Sequence, residues 1–277
     1  MAHFVIVPQW QGSAAARAML LAEGAAAIAR DLPASATTVV EVPVEAGDTL
    51  GTRVARLSAL EQTARHQFAA MPDTGPSLTI GGDAGVATTA AIAAISGAHG
   101  AMDPGAVVVW LSATPAMHSP DTSATGAYAE MAAGALIGTG APVPADPPLL
   151  APERLVLAGI RDISSAEADA LRTHPATTLS ADEITAHPAA LAEAVARLAP
   201  TSIFIHVALD VLDPAAIDGV LAPYPFGLEP ATLLEAIAAL RRIAPLSGAA
   251  LTGFAPPTPD EAIGDMGTIL RLIGALV

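Results

Sequence analysis

The chain has 277 residues, 52% hydrophobic and 3% aromatic, no cysteine, and a formal charge of −15 from 12 Lys and Arg against 27 Asp and Glu. That charge repels a phosphate backbone, and neither a basic stripe nor aromatic stacking platforms offset it, so nucleic acid is excluded as an expected partner. Without cysteine there is no disulfide framework, thiolate metal site or cysteine nucleophile, and each apolar run breaks well short of the roughly 18 residues that a bilayer span needs. The stretch Met1–Pro8 lacks a basic region and a long apolar core, so the expected address is the cytoplasm, away from membranes. The length suits a single domain, 1–277, around one large core.

Short β-branched or apolar runs alternate with Ala-rich segments of helical period, which argues for an α/β protein with a parallel sheet and helices packed on it. The first half reads strand 4–8, helix 14–30, strand 37–43, helix 53–70, strand 77–81, helix 85–97, strand 106–111 and helix 126–138. The second half reads strand 154–159, helix 165–173, strand 176–180, helix 187–198, strand 202–209, helix 229–243, strand 247–254 and helix 259–275. Val107–Leu111 and Ser202–Val207 are nearly continuous in apolar residues, as strands covered on both faces require. Ser13 is a candidate helix cap, and Glu229-Pro230 suits a first helical turn.

Long loops are expected after two strands, Ser112 to Thr125 and Asp210 to Leu228, and long loops inside compact α/β domains are usually functional or disordered. Gly138–Pro148 reads as a surface connection. The stretch Phe204–Pro214 organises the rest: an apolar strand that stops in a turn holding Asp210 and Asp213, at the end of an open sheet where ligands sit. Eight βα units would also suit a closed barrel, and periodicity alone does not separate the two.

Three strand ends stand out: Gly81-Gly-Asp-Ala-Gly85, Trp110-Leu-Ser-Ala-Thr-Pro-Ala-Met-His-Ser-Pro120 and Ala208-Leu-Asp-Val-Leu-Asp-Pro214. With Gly159-Ile-Arg-Asp162 and Thr252-Gly-Phe-Ala-Pro256, in this order, the chain resembles the arginase/agmatinase (ureohydrolase) family over nearly its whole length. The resemblance implies an arginase-like fold: a three-layer α/β/α sandwich with a predominantly parallel eight-stranded sheet. It also implies an open sheet, homo-oligomers such as trimers or hexamers, and a pair of Mn²⁺ ions held by GGDH, DAHxD and DxDxxDP motifs. In that family the ions turn a bridging water into the hydroxide that attacks a guanidinium carbon.

Carried onto this chain, the family's ligand positions are largely neutral. Ala84 stands where the first His is expected; Ser112, Thr114 and Ala116 stand for Asp, His and Asp; Ala208 replaces the first Asp of the last motif, and Asp210 remains. Ala129 falls at the proton-shuttling His, Ser164 at the Asp that contacts the substrate amine in arginases, and Gly253 at the Glu that grips the guanidinium. A lone carboxylate does not hold two divalent cations, and without cations nothing brings the pKa of water down to about 7. Neutral residues at these positions also relieve the charge that absent cations would leave uncompensated. The expectation is therefore a protein without cofactors, a pseudoenzyme of the metal-dependent amidinohydrolases with a small-ligand-binding or structural and regulatory role, as a homo-oligomer or beside an active paralogue. The alternative is a hydrolase acting on C–N bonds of a guanidino or amide substrate by altered chemistry.

Other readings of these residues stay open. Asp210 is either a remnant ligand or a brace that accepts backbone N–H groups of its loop, and Asp83 and Asp213 read as turn-formers. Ser112, His118 and Asp210 are the hydrolytic constellation the chain offers, although no G-x-S-x-G elbow surrounds Ser112. Asp83, His118 and Asp210 form a conceivable replacement cation site. His118 is otherwise expected in a mobile loop, and His206 as a satisfied core or interface imidazole; His3, His66, His99, His174 and His187 are scattered without ligand spacing.

Overall fold

The computed structural model describes residues 3–72, 75–96, 102–142 and 149–277. His99 and most of the Pro-rich connection, residues 143–148, lie outside the described residues. The strands are β1 (His3–Val7), β2 (Thr37–Val39), β3 (Ser77–Gly81), β4 (Ala106–Leu111), β5 (Leu155–Ile160), β6 (Thr177–Ser180), β7 (Ser202–Ala208) and β8 (Leu246–Thr252). They form one eight-stranded sheet in the order β2-β1-β3-β8-β7-β4-β5-β6. Every ladder is parallel, so the sheet is more uniform than the expected predominantly parallel one. The order runs from β2 to β6 without closing, which makes it an open sheet and not a barrel.

The helices are α1 (Leu20–Ala29), α2 (Leu57–Ala70), α3 (Gly85–Ile95), α4 (Ala132–Leu136), α5 (Ser165–Thr173), α6 (Ala181–Ala186), α7 (Ala190–Arg197), α8 (Pro230–Arg241) and α9 (Pro259–Leu276). They cover both faces of the sheet, giving the α/β/α layers. Side chains alternate along a strand, so Val107, Val109 and Leu111 of β4 join the core under α1 and α6–α9, while Ala106, Val108 and Trp110 join the core under α2–α4. All of β4 is buried, and each fully buried Val or Leu there contributes about 1.5–3 kcal/mol of transfer free energy. No described helix is long and apolar enough to cross a membrane.

Helix boundaries depart from the sequence pattern in instructive places. The Ala-rich segment from residue 14 runs as loop and turn, with Ser13 Oγ accepting the Ala15 N–H at 3.2 Å, and α1 starts only at Leu20. The expected helix at 126–138 is split into a 3₁₀ turn, Tyr128–Glu130, and short α4. There the Gly134 N–H donates to Ala116 O at 3.0 Å, across to the preceding loop. Unanticipated α6 follows a capping box in which Ser180 and Glu183 satisfy each other's backbone N–H groups.

A cleft at the carboxyl ends of the central strands

In the sheet order β3, β8, β7 and β4 are adjacent, so Gly81–Asp83, Thr252–Gly253, Ala208–Asp210 and Ser112 meet at one edge although they lie far apart in sequence. Each turn is fixed by local chemistry. After β3 the backbone passes so close to β1's end that a Cβ on Gly82 would lie 1.8 Å from Gln9 O, which only glycine avoids. Asp83 then folds under the turn and accepts from Gln9 Nε2 at 3.0 Å, Gly12 N at 2.9 Å and Gly85 N at 2.9 Å. Burial pushes its carboxyl up to about 6, against the pull of those hydrogen bonds and of Arg56.

After β4, Ser112 Oγ accepts the Thr114 N–H at 3.3 Å, and Ala113 N donates to Asp210 Oδ1 at 3.1 Å. Burial raises the Asp210 carboxyl, opposed by that N–H, the Arg161 guanidinium and the Ser112 hydroxyl. Asp210 is thus a brace, but for the loop after β4 and not for its own. Asp213 behaves as the turn-former expected of it: Oδ1 accepts Ala215 N at 2.9 Å and Oδ2 accepts Gly227 N at 3.0 Å, which holds its carboxyl below the usual range. Ala116 has φ 53° and Gly253 φ 92°; the second conformation favours glycine strongly, so a Glu at Gly253 would carry strain.

These turns enclose a cleft of about 400 Å³. Asp83, Ala84, Ser112, Thr114, Ala116, Ala129, Ala208, Asp210 and Gly253 all line it. His118 and Ser164 stand outside the lining and pair with each other instead, Ser164 Oγ to His118 Nε2 at 3.3 Å, with Glu167 Oε2 3.7 Å from the same nitrogen. His118 Nδ1 meets Thr122 Oγ1 at 3.2 Å. The imidazole sits on the loop after β4, meets a hydroxyl at each nitrogen and is partly buried away from the cleft, which leaves the Ser112–His118–Asp210 constellation unassembled. Among the described residues no three His, Asp or Glu side chains gather as a metal ion would require, so the Asp83–His118–Asp210 trio does not come together either.

His206 departs from the satisfied imidazole expected of it. Its Nε2 pairs with Thr252 Oγ1 at 2.8 Å and its ring centroid lies 3.9 Å from that of Trp110, but among the described residues buried Nδ1 meets no partner. Burial drives its pKa down to about 3, so the ring is neutral. It is a half-satisfied imidazole beneath the cleft floor, which Trp110 and Thr252 help to form.

Sequence reasoning missed three contributors. Gln9 holds Asp83; Glu130 accepts from Ser123 Oγ and Thr125 Oγ1, both at 2.7 Å. Arg161 donates to the carbonyls of Gly159, Leu212, Tyr224 and Pro225 at 3.1, 3.2, 2.8 and 3.1 Å, closing the long loop after β7. The G-x-R-D segment marked Arg161 as a fold signature, without revealing that its guanidinium is the clasp.

Comparison with known proteins places the geometry. A model of the arginase family matches residues 11–266. No curated protein matches the chain in sequence. Among solved structures, Entamoeba histolytica arginase in complex with L-ornithine superposes with a TM-score of 0.81 at 19% identity, covering 99% of this chain and 97% of that one. Bacillus caldovelox arginase gives 0.78 at 20%, covering 100% and 98%, and Thermoplasma volcanium agmatine ureohydrolase 0.70 at 18%, covering 99% and 89%. At such identities the structures speak for the fold, while the family model spans nearly the whole sequence: the chain belongs to the arginase family.

Proposed function

We propose that this arginase-family protein lacks the dinuclear manganese site, does not act as a ureohydrolase, and uses the cleft to bind a small molecule or to serve a structural or regulatory role. The observation that carries this reading is the company at the cleft: methyl groups of Ala84, Ala116 and Ala208 and hydroxyls of Ser112 and Thr114 stand where the resemblance places ligands. Asp83 is spent on three protein donors and Asp210 on the Ala113 N–H. Such a donor set does not fit two hard divalent cations, which need several oxygen or nitrogen ligands at fixed geometry. Protein assayed with Mn²⁺ and L-arginine or agmatine releases no urea above the uncatalysed background; sustained turnover would refute the proposal.

A second reading has one observation in its favour, the Ser112 hydroxyl beside the Asp210 carboxylate inside the cleft. It makes the protein a hydrolase of C–N bonds in a guanidino or amide substrate by chemistry that needs no metal pair. Its test is a panel of such substrates: an activity lost in both Ser112→Ala and Asp210→Asn supports it, and one unchanged in both rejects it. A cytoplasmic address and assembly as a homo-oligomer, or with an active paralogue, belong to the same proposal and are read by fractionation and by sedimentation.

A further inference from the structure

Tyr224 lines the cleft and also borders a second cavity, a groove of about 450 Å³ walled by Arg161, Asp162, Asp182, Tyr224, Pro225 and Phe226. Phe226 is its unusual member. The residue is 80% exposed and has φ 64°, a left-handed conformation that glycine adopts freely and a bulky side chain rarely does. Its segment is held from two sides: Asp213 Oδ2 accepts the Gly227 N–H at 3.0 Å, and Arg161 donates to the carbonyls of Tyr224 and Pro225 at 2.8 and 3.1 Å. A braced turn thus displays one aromatic ring to solvent beside a second that is half-buried.

The charges around these rings do not balance. Arg161 is the one cation in the lining, but its N–H groups are committed to backbone carbonyls, and Asp210 and Asp213 lie close enough to offset its charge. Among the described residues the Asp162 and Asp182 carboxylates, both exposed, join no ion pair. An anion therefore finds no free donor here, and a bare divalent ion finds too few ligands. Ring faces attract a cation electrostatically and pack against alkyl groups, while the two carboxylates complement its charge. We propose that this groove binds a small organic cation with an apolar shell, an alkylated ammonium ion, whether or not the cleft beside it holds anything.

Tetramethylammonium, tert-butanol and pivalate are methyl-rich and of similar size but differ in charge, which makes them suitable probes. The chain has two tyrosines, Tyr224 at the groove and the buried Tyr128, so ¹³C-tyrosine labelling supplies a reporter and an internal reference. At matched ionic strength tetramethylammonium shifts the Tyr224 signal with an apparent affinity at least about fivefold above that of either other probe. Phe226→Gly suits the left-handed backbone, so it keeps the fold, and it weakens this binding about two- to fivefold. Asp162→Asn with Asp182→Asn narrows the lead over tert-butanol at least about twofold. None of these three residues lines the cleft, so the variants separate the groove from it. Equal binding of tert-butanol, an affinity unchanged by Phe226→Gly, or no Tyr224 shift with any probe overturns the proposal. So does a Tyr224 signal that moves with protein concentration alone, since a second copy of the chain would then be the occupant.

Discussion

Asp210 Oδ1 accepts the backbone N–H of Ala113 at 3.1 Å, a bond between residues 97 apart in sequence that ties the turn after β7 to the loop after β4. The carboxylate that resembles a last metal ligand is thereby also a structural acceptor, and its removal orphans a backbone donor at the cleft. Asp210→Ala lowers stability by about 1–3 kcal/mol in urea unfolding, while Asp210→Asn, which retains an acceptor, costs under about 1 kcal/mol. Equal losses in both variants would assign the effect to charge and not to the hydrogen bond.

Asp83 makes stability depend on pH with an uncommon sign. Its folded pKa, about 6, lies above the ordinary carboxyl value of 3.8, so between those values the folded chain holds a proton that the unfolded chain has released. Stability from this group therefore falls as pH rises from about 4 to about 6, by up to about 3 kcal/mol, and is flat outside that window. Urea unfolding of the wild type minus that of Asp83→Asn, measured across pH 4–7, shows this downward slope; a difference independent of pH would contradict it.

The Arg161 clasp predicts a local effect. Arg161→Lys keeps the charge but not the planar fork that reaches several carbonyls at once. The variant loses about 1–3 kcal/mol, and limited proteolysis cuts first within residues 213–228. Cleavage no faster than in the wild type would show that the loop is held by other contacts.

His206 and Thr252 should couple. Replacing one partner strands the other in the core, whereas His206→Leu with Thr252→Val removes both polar groups and the unpartnered Nδ1. Each single variant loses about 1–3 kcal/mol and the double variant loses less than either, a non-additive double-mutant cycle. Simple additivity would mean that their 2.8 Å contact contributes nothing.

The sheet was legible because buried parallel strands write themselves as apolar runs: Val107–Leu111 and Ser202–Val207 are β4 and β7 almost to the residue. Helix starts were not, since an Ala-rich segment such as 14–19 has the period of a helix whether or not it coils. Helix α6 did carry a signal, the Ser180…Glu183 box, passed over beside a stronger period further on. In the cleft, motif order located residues such as Ala84, Ala116 and Ala208, because strand ends that are adjacent in the sheet are marked in sequence by Gly and Asp turns. His118 could not be placed this way: its partners, Thr122 and Ser164, are hydroxyls on a loop and a helix cap, contacts that no spacing rule anticipates. Gln9 and Glu130 escaped for the same reason, being a buried donor and a half-buried acceptor whose partners are fixed only by the folded loops.

The most direct test of the account is manganese stoichiometry. Protein produced with excess Mn²⁺, desalted and analysed for metal carries well under one ion per chain, and added Mn²⁺ does not raise its melting temperature, since a ligand that binds only the folded state would stabilise it. About two manganese ions per chain, with a melting temperature that climbs with Mn²⁺ concentration, would contradict the account.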